Sequence, residues 1–257
     1  MKIRTLALGA LLRLAILGTS VLLFSTVAQA QDNGFYVAGD LGYHWPDQLV
    51  TRVIGSGTKW TWSPRNNGAG VLRLGYGFDS NWRLELEGAY RPSDLGAIQA
   101  DFFPPRALIP ASGIRFSSVG GHVDATTLMA NVIYDIPLGL LVQPFVGGGA
   151  GLVHTAVTAQ GGFPFCAVCA PPAICFPVCS LNVKVDESID KLGWQGIAGL
   201  SWPLASQWTV DATFRYLRAN GVTWSTLAGS GLFMPGRFRG DFSDNSVTVG
   251  IRYSFGG

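Results

Sequence analysis

The chain is poor in charge and, after its first 30 residues, has no apolar run long enough to cross a bilayer as a helix. Charged residues make up 13% of it, and subtracting the three cations of those first residues changes the formal charge from +2 to −1. Nucleic-acid binding requires a basic surface that such a chain lacks. Composition therefore excludes a nucleic acid as a partner and a bundle of membrane helices as the fold.

The first 30 residues have the features of a cleavable export signal. Three cations precede or lie within a stretch rich in Leu and Ala, and the segment ends in the small-residue cleavage pattern Val27-Ala28-Gln29-Ala30. We predict a signal peptide over residues 1–30 and one exported domain over residues 31–257. The alternative is that the apolar stretch remains as a membrane anchor.

What the rest of the chain has in abundance is alternation of apolar and polar residues, which is typical of strands with one apolar face. The alternation predicts eight strands, near residues 34–46, 67–78, 81–92, 121–136, 140–157, 190–203, 207–219 and 245–255. Short and long connections between these strands alternate strictly along the chain. An up-and-down barrel in a membrane has this arrangement, because all its short turns lie at one end and all its long loops at the other.

The last predicted strand indicates what its two faces contact. Its odd-numbered residues from Val247 to Phe255 are apolar, and the even-numbered residues between them are small or polar. Other strands repeat the pattern and carry aromatic residues at the ends of their apolar faces. Aromatic rings favour the headgroup level of a membrane, so we expect the apolar faces to contact lipid between two aromatic girdles.

The polar faces carry equal numbers of carboxylates and arginines. An eight-stranded barrel has an interior just wide enough for side chains, and isolated buried ions are costly, so we expect these charges to pair in a salt-bridged plug. The predicted interior network consists of Asp40, Arg73, Arg83, Glu85, Glu87, Asp211, Arg215 and Arg252. The alternative is a set of solvated charges outside a soluble barrel, although such exteriors usually carry lysine, which these faces almost lack.

Four segments rich in glycine and aromatic residues give the chain a family resemblance. They are residues 34–39 (GFYVAG), 74–78 (LGYGF), 144–151 (PFVGGGAG) and 249–255 (VGIRYSF). Their order and spacing resemble the small eight-stranded outer-membrane barrels of Gram-negative bacteria, namely the OmpA-type transmembrane domain and the opacity-type surface antigens of the "porin family". The resemblance implies an all-β, eight-stranded antiparallel up-and-down transmembrane β-barrel with short periplasmic turns and four long extracellular loops.

The same resemblance implies a location, partners and a general role. It places the chain in the bacterial outer membrane, in contact with lipid and lipopolysaccharide, with a structural or surface-interaction role in membrane integrity, as a surface antigen or in adhesion to a host or surface ligand. In this family the outer-membrane assembly machinery reads an aromatic residue at the end of the last strand. Tyr253 and Phe255 hold that place here, and Phe255 departs from the family by being followed by two glycines.

Four cysteines lie in the longest predicted loop, at Cys166, Cys169, Cys175 and Cys179. An even number in an exported chain indicates disulfides, and three connectivities are possible. We favour the nested pairs Cys166–Cys179 and Cys169–Cys175, which place two prolines at the tip of a small hairpin. The alternative is a four-thiolate zinc site, which an oxidising compartment disfavours.

Two of the predicted long loops carry apolar and basic residues suited to surface recognition. The candidates are Phe163, Phe165, Phe176, Phe233, Arg237 and Arg239. The alternative is that these side chains pack on each other or lie within the lipopolysaccharide layer.

A further alternative is an enzyme that acts on lipid A and uses one of the three histidines. His44, His122 and His154 lack the spaced nucleophile and acid that such chemistry needs, so we interpret them as residues of the barrel rim. We expect no catalytic residue, cofactor or metal ion. The remaining functional alternative is a narrow channel for small solutes.

Overall fold

The computed structural model describes residues 34–55, 57–100, 114–115, 117–165, 169–170, 174–175, 179–225, 228–229 and 236–255, and the side chains within 34–55, 57–99, 119–161, 184–225 and 236–255. The predicted signal peptide lies outside these residues. The described secondary structure is all β. No described segment forms a helix with the length and apolarity that crossing a membrane requires.

The described residues form fifteen strands. They are β1 (Gly34–Pro46), β2 (Leu49–Val53), β3 (Lys59–Pro64), β4 (Asn67–Gly77), β5 (Trp82–Arg91), β6 (Leu95–Ala100), β7 (Ile114–Arg115), β8 (Ser117–Asp135), β9 (Gln143–Phe165), β10 (Cys169–Ala170), β11 (Ile174–Cys175), β12 (Cys179–Ala205), β13 (Trp208–Ser225), β14 (Ala228–Gly229) and β15 (Arg237–Ser254).

Eight of these strands form a closed antiparallel ring in the order β1-β4-β5-β8-β9-β12-β13-β15. The ring closes between its first and last members, from the pair Tyr36 and Ser254 to the pair Pro46 and Asp244. Closure leaves no strand edge within the ring, which is the condition for a sheet to lie in lipid. The eight-stranded barrel predicted from the alternation is therefore confirmed.

Side chains alternate across the barrel wall as the sequence predicts. Leu84 is 49% exposed and Ile251 54% exposed on the outside, whereas Glu85 and Arg252 beside them are 4% and 3% exposed in the interior. A soluble barrel has the opposite arrangement, with its apolar side chains inside. The outer wall is thus an apolar surface suited to acyl chains.

Aromatic side chains gather at the end of the barrel that carries the short connections, which we call the turn end. Trp82 lies 4.8 Å from Tyr134 between ring centroids, and Trp208 lies 4.8 Å from Tyr253. A second group lies further along the wall, where Trp194 and Tyr216 are 5.6 Å apart. The two groups match the predicted girdles.

In their described parts, the long connections differ from the prediction because they contain further strands. Residues 47–66 contain β2 and β3, and residues 93–120 contain β6, β7 and the start of β8. The strands β9, β12, β13 and β15 also continue well past their predicted ends. The described residues beyond the barrel, on the side opposite the turn end, thus form a β-structure, which we call the extended end.

The extended end is held together by a hydrophobic core that the sequence analysis did not predict. The interior faces change from polar to apolar along the strands, as in β13, where Asp211 and Arg215 are followed on the same face by Leu217 and Ala219. A bulge between Ala219 and Val222 then brings Trp224 to that face as well. Strands β2, β3 and β6 cover this core, joined to β15 by the pairing of Arg239 with Arg52. Burial of this apolar surface explains why the connections fold as strands.

Candidate functional site

The centre of the barrel interior is occupied by Arg73, which extends from β4. Its Nη2 donates to Asp40 Oδ1 at 2.7 Å and to Asp211 Oδ2 at 3.0 Å, and its Nη1 donates to Glu85 Oε1 at 3.2 Å. All four side chains are buried. One guanidinium therefore joins carboxylates from three other strands, which ties together walls of the barrel that are distant in sequence.

A second guanidinium, that of Arg215 on β13, lies beside the first. Its Nε donates to Glu87 Oε2 at 3.0 Å, its Nη2 to Asp40 Oδ2 at 2.8 Å and its Nη1 to Thr248 Oγ1 at 2.6 Å. Asp40 thus uses one oxygen for each arginine. Charged hydrogen bonds of this length and number offset much of the cost of burying the ions.

The turn end of the interior is closed by Arg83 and Arg252. Arg83 makes a bidentate pair with Asp135, with both N–O distances 2.7 Å, and its guanidinium lies 5.0 Å from the centre of the Phe145 ring. Arg252 lies 5.3 Å from the centre of the Tyr36 ring, and its Nη2 is 3.4 Å from Asp211 Oδ1. The aromatic rings fill the space between the charges.

Tyr36 also explains why the small residues of β4 leave no open lumen. Its hydroxyl donates to Glu85 Oε1 at 2.6 Å, and its ring lies against Gly75, where any Cβ would collide with it. Gly39 is also small, but it lies on the outer face of β1 and does not line the interior.

The structure brings all eight predicted network residues together and adds others that the sequence analysis missed. Arg91 and Asp244 are buried in the same interior, with Arg91 Nε 3.6 Å from Asp244 Oδ1 and Arg91 Nη2 3.9 Å from Glu87 Oε1. Five arginines and five carboxylates are buried among the described residues. The alternation of β5 contained the signal for Arg91, because Arg91 has the same parity as Arg83, Glu85 and Glu87.

His44 lies in the network instead of on the rim, which corrects the sequence interpretation. Its Nδ1 is 2.7 Å from Asp244 Oδ2, and its Nε2 donates to the carbonyl oxygen of Pro92 at 2.7 Å. His154 is on the outer face, where its Nδ1 is 2.7 Å from Asp190 Oδ1. Neither acidic partner was predictable from the sequence, because each comes from a strand that pairing brings alongside.

Next to this network, towards the extended end, the interior is filled by aromatic rings. Trp62 stacks on Trp60 with centroids 6.1 Å apart and meets Trp224 and Phe238 edge-on at 5.8 Å and 5.6 Å. The Trp62 indole N–H donates to Thr51 Oγ1 at 2.9 Å. Polar and apolar layers thus fill consecutive levels of the barrel and its extended end.

The predicted recognition residues are described only in part. Arg237 and Arg239 are exposed on the outer face of β15. Phe163 and Phe165 are in β9, but their side chains are outside the described set, and Phe176 and Phe233 lie outside the described residues altogether.

The cysteine pairing stays a prediction for the same reason. The backbone of Cys169 pairs with that of Cys175 between β10 and β11. Cys179 is in β12, the side chains of these three cysteines are not described, and Cys166 lies outside the described residues. Among the residues that the structure describes, no group of three or more His, Cys, Asp or Glu side chains could hold a metal ion.

The two C-terminal aromatic residues lie at the turn end. Phe255 is exposed on the outer wall, with its ring perpendicular to that of Tyr253 at 5.1 Å, and its backbone N–H donates to the carbonyl oxygen of Phe35 at 2.9 Å. The last strand therefore joins the first at the seam of the barrel. A role for these rings in assembly remains a prediction.

A closed ring with an apolar outer wall and a buried ionic interior matches what is known of related chains. A family model described as "Outer membrane protein beta-barrel domain" matches residues 15–255. The chain belongs to this family. It is an outer-membrane β-barrel protein of bacteria, as the resemblance of its motifs implied.

Proteins similar to this barrel include a curated protein and two solved structures. An uncharacterised protein of Brucella suis biovar 1 is 22% identical over 268 residues, which cover 90% of this chain and 88% of that protein. The outer membrane protein OprG of Pseudomonas aeruginosa is 15% identical, with 86% of this chain and 96% of that chain covered and a TM-score of 0.51. The outer membrane protease OmpT of Escherichia coli is 9% identical, with 90% and 99% covered and a TM-score of 0.50. The likeness to the two structures is one of fold.

Proposed function

We propose that this barrel is a closed, non-conducting and non-enzymatic outer-membrane protein that presents its extended end for surface interaction. The observation that carries the proposal is the filling of the interior. The network around Arg73 and Arg215 fills the level of the membrane, and the cluster around Trp62 fills the level above it. An eight-stranded barrel filled in this way has no room for a solute path.

The lengths of the connections at the two ends support placing the extended end outside the cell. Barrels of this class have short periplasmic turns and longer extracellular segments, so the turn end faces the periplasm. The extended end then projects from the membrane as a β-structure with its own core. A rigid scaffold of this kind suits recognition by an adhesin or surface antigen, because it holds its exposed side chains in fixed positions.

Conductance in planar bilayers tests the closed state directly. We expect the reconstituted protein to give no discrete conductance steps in a bilayer where an open porin, added as the control, does give them. Regular steps with the wild-type protein would contradict the proposal and favour the narrow channel.

The histidines bear on the enzyme alternative. His44 is buried between Asp244 and a carbonyl oxygen, and His154 pairs with Asp190 on the outer wall, so neither faces an open cleft. We expect the lipid A of cells that overproduce the protein to have the same mass spectrum as that of cells without it. A new lipid A species would contradict the non-enzymatic role.

A further inference from the structure

The outer face of the extended end carries basic side chains on three neighbouring strands. Arg239 of β15 is the direct pairing partner of Arg52 on β2, and Arg52 is in turn the partner of Lys59 on β3. All three are exposed, and so is Arg237, which lies two residues from Arg239 on the same face. We call these four residues the basic row.

The pairing places like charges directly opposite each other on three neighbouring strands. Neighbouring strands are about 4.8 Å apart, so three paired residues span roughly 10 Å. Like charges directly opposite each other destabilise a sheet. Among the described residues no carboxylate forms an ion pair with Arg52, Lys59, Arg237 or Arg239. The row is therefore a repulsive arrangement that an anion would relieve.

The nearest acidic residue on the same face of β15 is already engaged. Asp241 accepts from Arg218 Nη2 at 3.1 Å and from the backbone N–H of Gly221 at 2.9 Å. It therefore offers the basic row little compensation.

The inner faces of the same strands hold the row in place. Val53, Trp60 and Phe238 alternate with the basic residues and are buried in the hydrophobic core of the extended end. The strand backbones that carry the cations are thus fixed by packing. A site on such a scaffold binds its ligand with little loss of backbone freedom.

The height of the row above the apolar wall limits what can reach it. The outward apolar residues of β15 end at Val247, and Arg239 lies eight residues further from the turn end. With a rise of about 3.3 Å per residue and a tilt of about 40°, the row is roughly 20 Å above the acyl boundary. The headgroup layer is only about 5–8 Å thick on each side, so lipid phosphates lie well below the row.

From this position and charge we propose that the basic row binds the phosphorylated core sugars of lipopolysaccharide in the surrounding outer leaflet. The outer face of a barrel wall points sideways, towards molecules of the same leaflet, and core sugars are the anions of that leaflet that stand above the lipid phosphates. Several cations at strand spacing match phosphate groups on adjacent sugars. The inference rests on the proposed orientation, with the extended end outside the cell.

The test measures binding of purified lipopolysaccharide to the whole protein reconstituted in nanodiscs of neutral lipid. Three probes are compared: lipopolysaccharide with a phosphorylated core, the same molecule with the core dephosphorylated, and lipid A alone. We expect tight binding of the first probe at low salt and clearly weaker binding of the other two, since neither presents phosphate at the height of the row. Added salt is expected to weaken the binding.

Charge reversal shows whether these residues are responsible. The variant Arg52→Glu/Arg239→Glu is expected to lose at least about tenfold in affinity for the first probe, since each basic residue near an anionic surface contributes about 1 kcal/mol. The matched control Arg65→Glu/Lys184→Glu makes the same charge change at two exposed positions outside the row and is expected to keep its affinity. Arg52→Lys/Arg239→Lys, which keeps the charges, is expected to retain most of it. Each variant is first checked for the gel-mobility shift of a folded barrel.

Several results would overturn the inference. They are equal affinity of the folded charge-reversal variant and its control, equal binding of lipid A alone, and preference for a soluble sulfated polysaccharide such as heparin over lipopolysaccharide. These outcomes are separate from the conductance test, because a barrel that does not conduct can still fail to bind core sugars.

Discussion

Replacing Glu87 by glutamine removes one charge from the centre of the interior network and keeps the shape of the side chain. Glu87 Oε2 is 3.0 Å from Arg215 Nε, and its carboxylate also accepts from the amides of Asn131 and Gln195 at 3.3 Å and 3.1 Å. At 3 Å and an effective dielectric constant of about 20 the attraction between unit charges is about 5 kcal/mol. Loss of the carboxylate charge leaves Arg215 and Arg91 with less compensation.

The expected loss of stability depends on which carboxylate partners each arginine retains. Removing one partner of a buried ion pair usually costs about 3–5 kcal/mol of unfolding free energy. Arg215 retains Asp40 at 2.8 Å. We therefore expect Glu87→Gln to lower the unfolding free energy by about 3 kcal/mol, the lower end of that range. The charge-neutral double variant Glu87→Gln/Arg215→Gln is expected to cost less than the sum of the two single variants, because the charges compensate each other.

Urea unfolding of the protein in phospholipid vesicles, followed by tryptophan fluorescence and by gel mobility, measures these differences. The matched control is Asp241→Asn, which breaks an arginine–carboxylate pair of 3.1 Å on the exposed outer face and is expected to leave stability close to that of the wild type. The reasoning fails if Glu87→Gln is no more destabilising than Asp241→Asn, or if the two network substitutions are simply additive.

Three further substitutions test other parts of the fold. Gly75→Ala is expected to cost about 1–3 kcal/mol because the new methyl group collides with a packed phenol ring, whereas Gly88→Ala, which meets no atom within 4 Å, should be tolerated in the same urea assay. Trp62→Ala is expected to expose the extended end to limited proteolysis while the barrel keeps its folded gel mobility; protection equal to the wild type would show that the cluster does not hold that end together. Phe255→Ala is expected to slow assembly in cells but not unassisted refolding in detergent, and Phe35→Ala at the same end serves as the control; equal effects of the two variants in cells would refute a signal specific to the last strand.

The fold was predictable because its main signal is local. Alternation with a period of two assigns each strand residue to a face, and eight such segments with sorted connections allow one simple closure. The sequence therefore identified the strands of the ring and the network residues from Asp40 to Arg252. Arg91 has the same parity as the network residues of β5, but it is the last residue of that strand, where a charged side chain is usually solvated.

The extended end was harder to predict for a physical reason. Residues of β2, β3 and β6 alternate only over short stretches, and turn-forming residues separate them. These strands form because Trp60, Trp62 and Phe238 bury one another, and those residues come from segments far apart in the chain. Such contacts leave no local period in the sequence.

Sequence by itself determined which side chains of the barrel face lipid and which face the interior, since within the regular part of each strand that depends only on the parity of the residue number. Tertiary structure alone decided which charges meet, as when Arg215 reaches both Asp40 and Glu87, and which basic residues are direct neighbours, as Arg239 and Arg52 are. Those contacts depend on the register between strands. Closure of the barrel and burial of the core together determine that register.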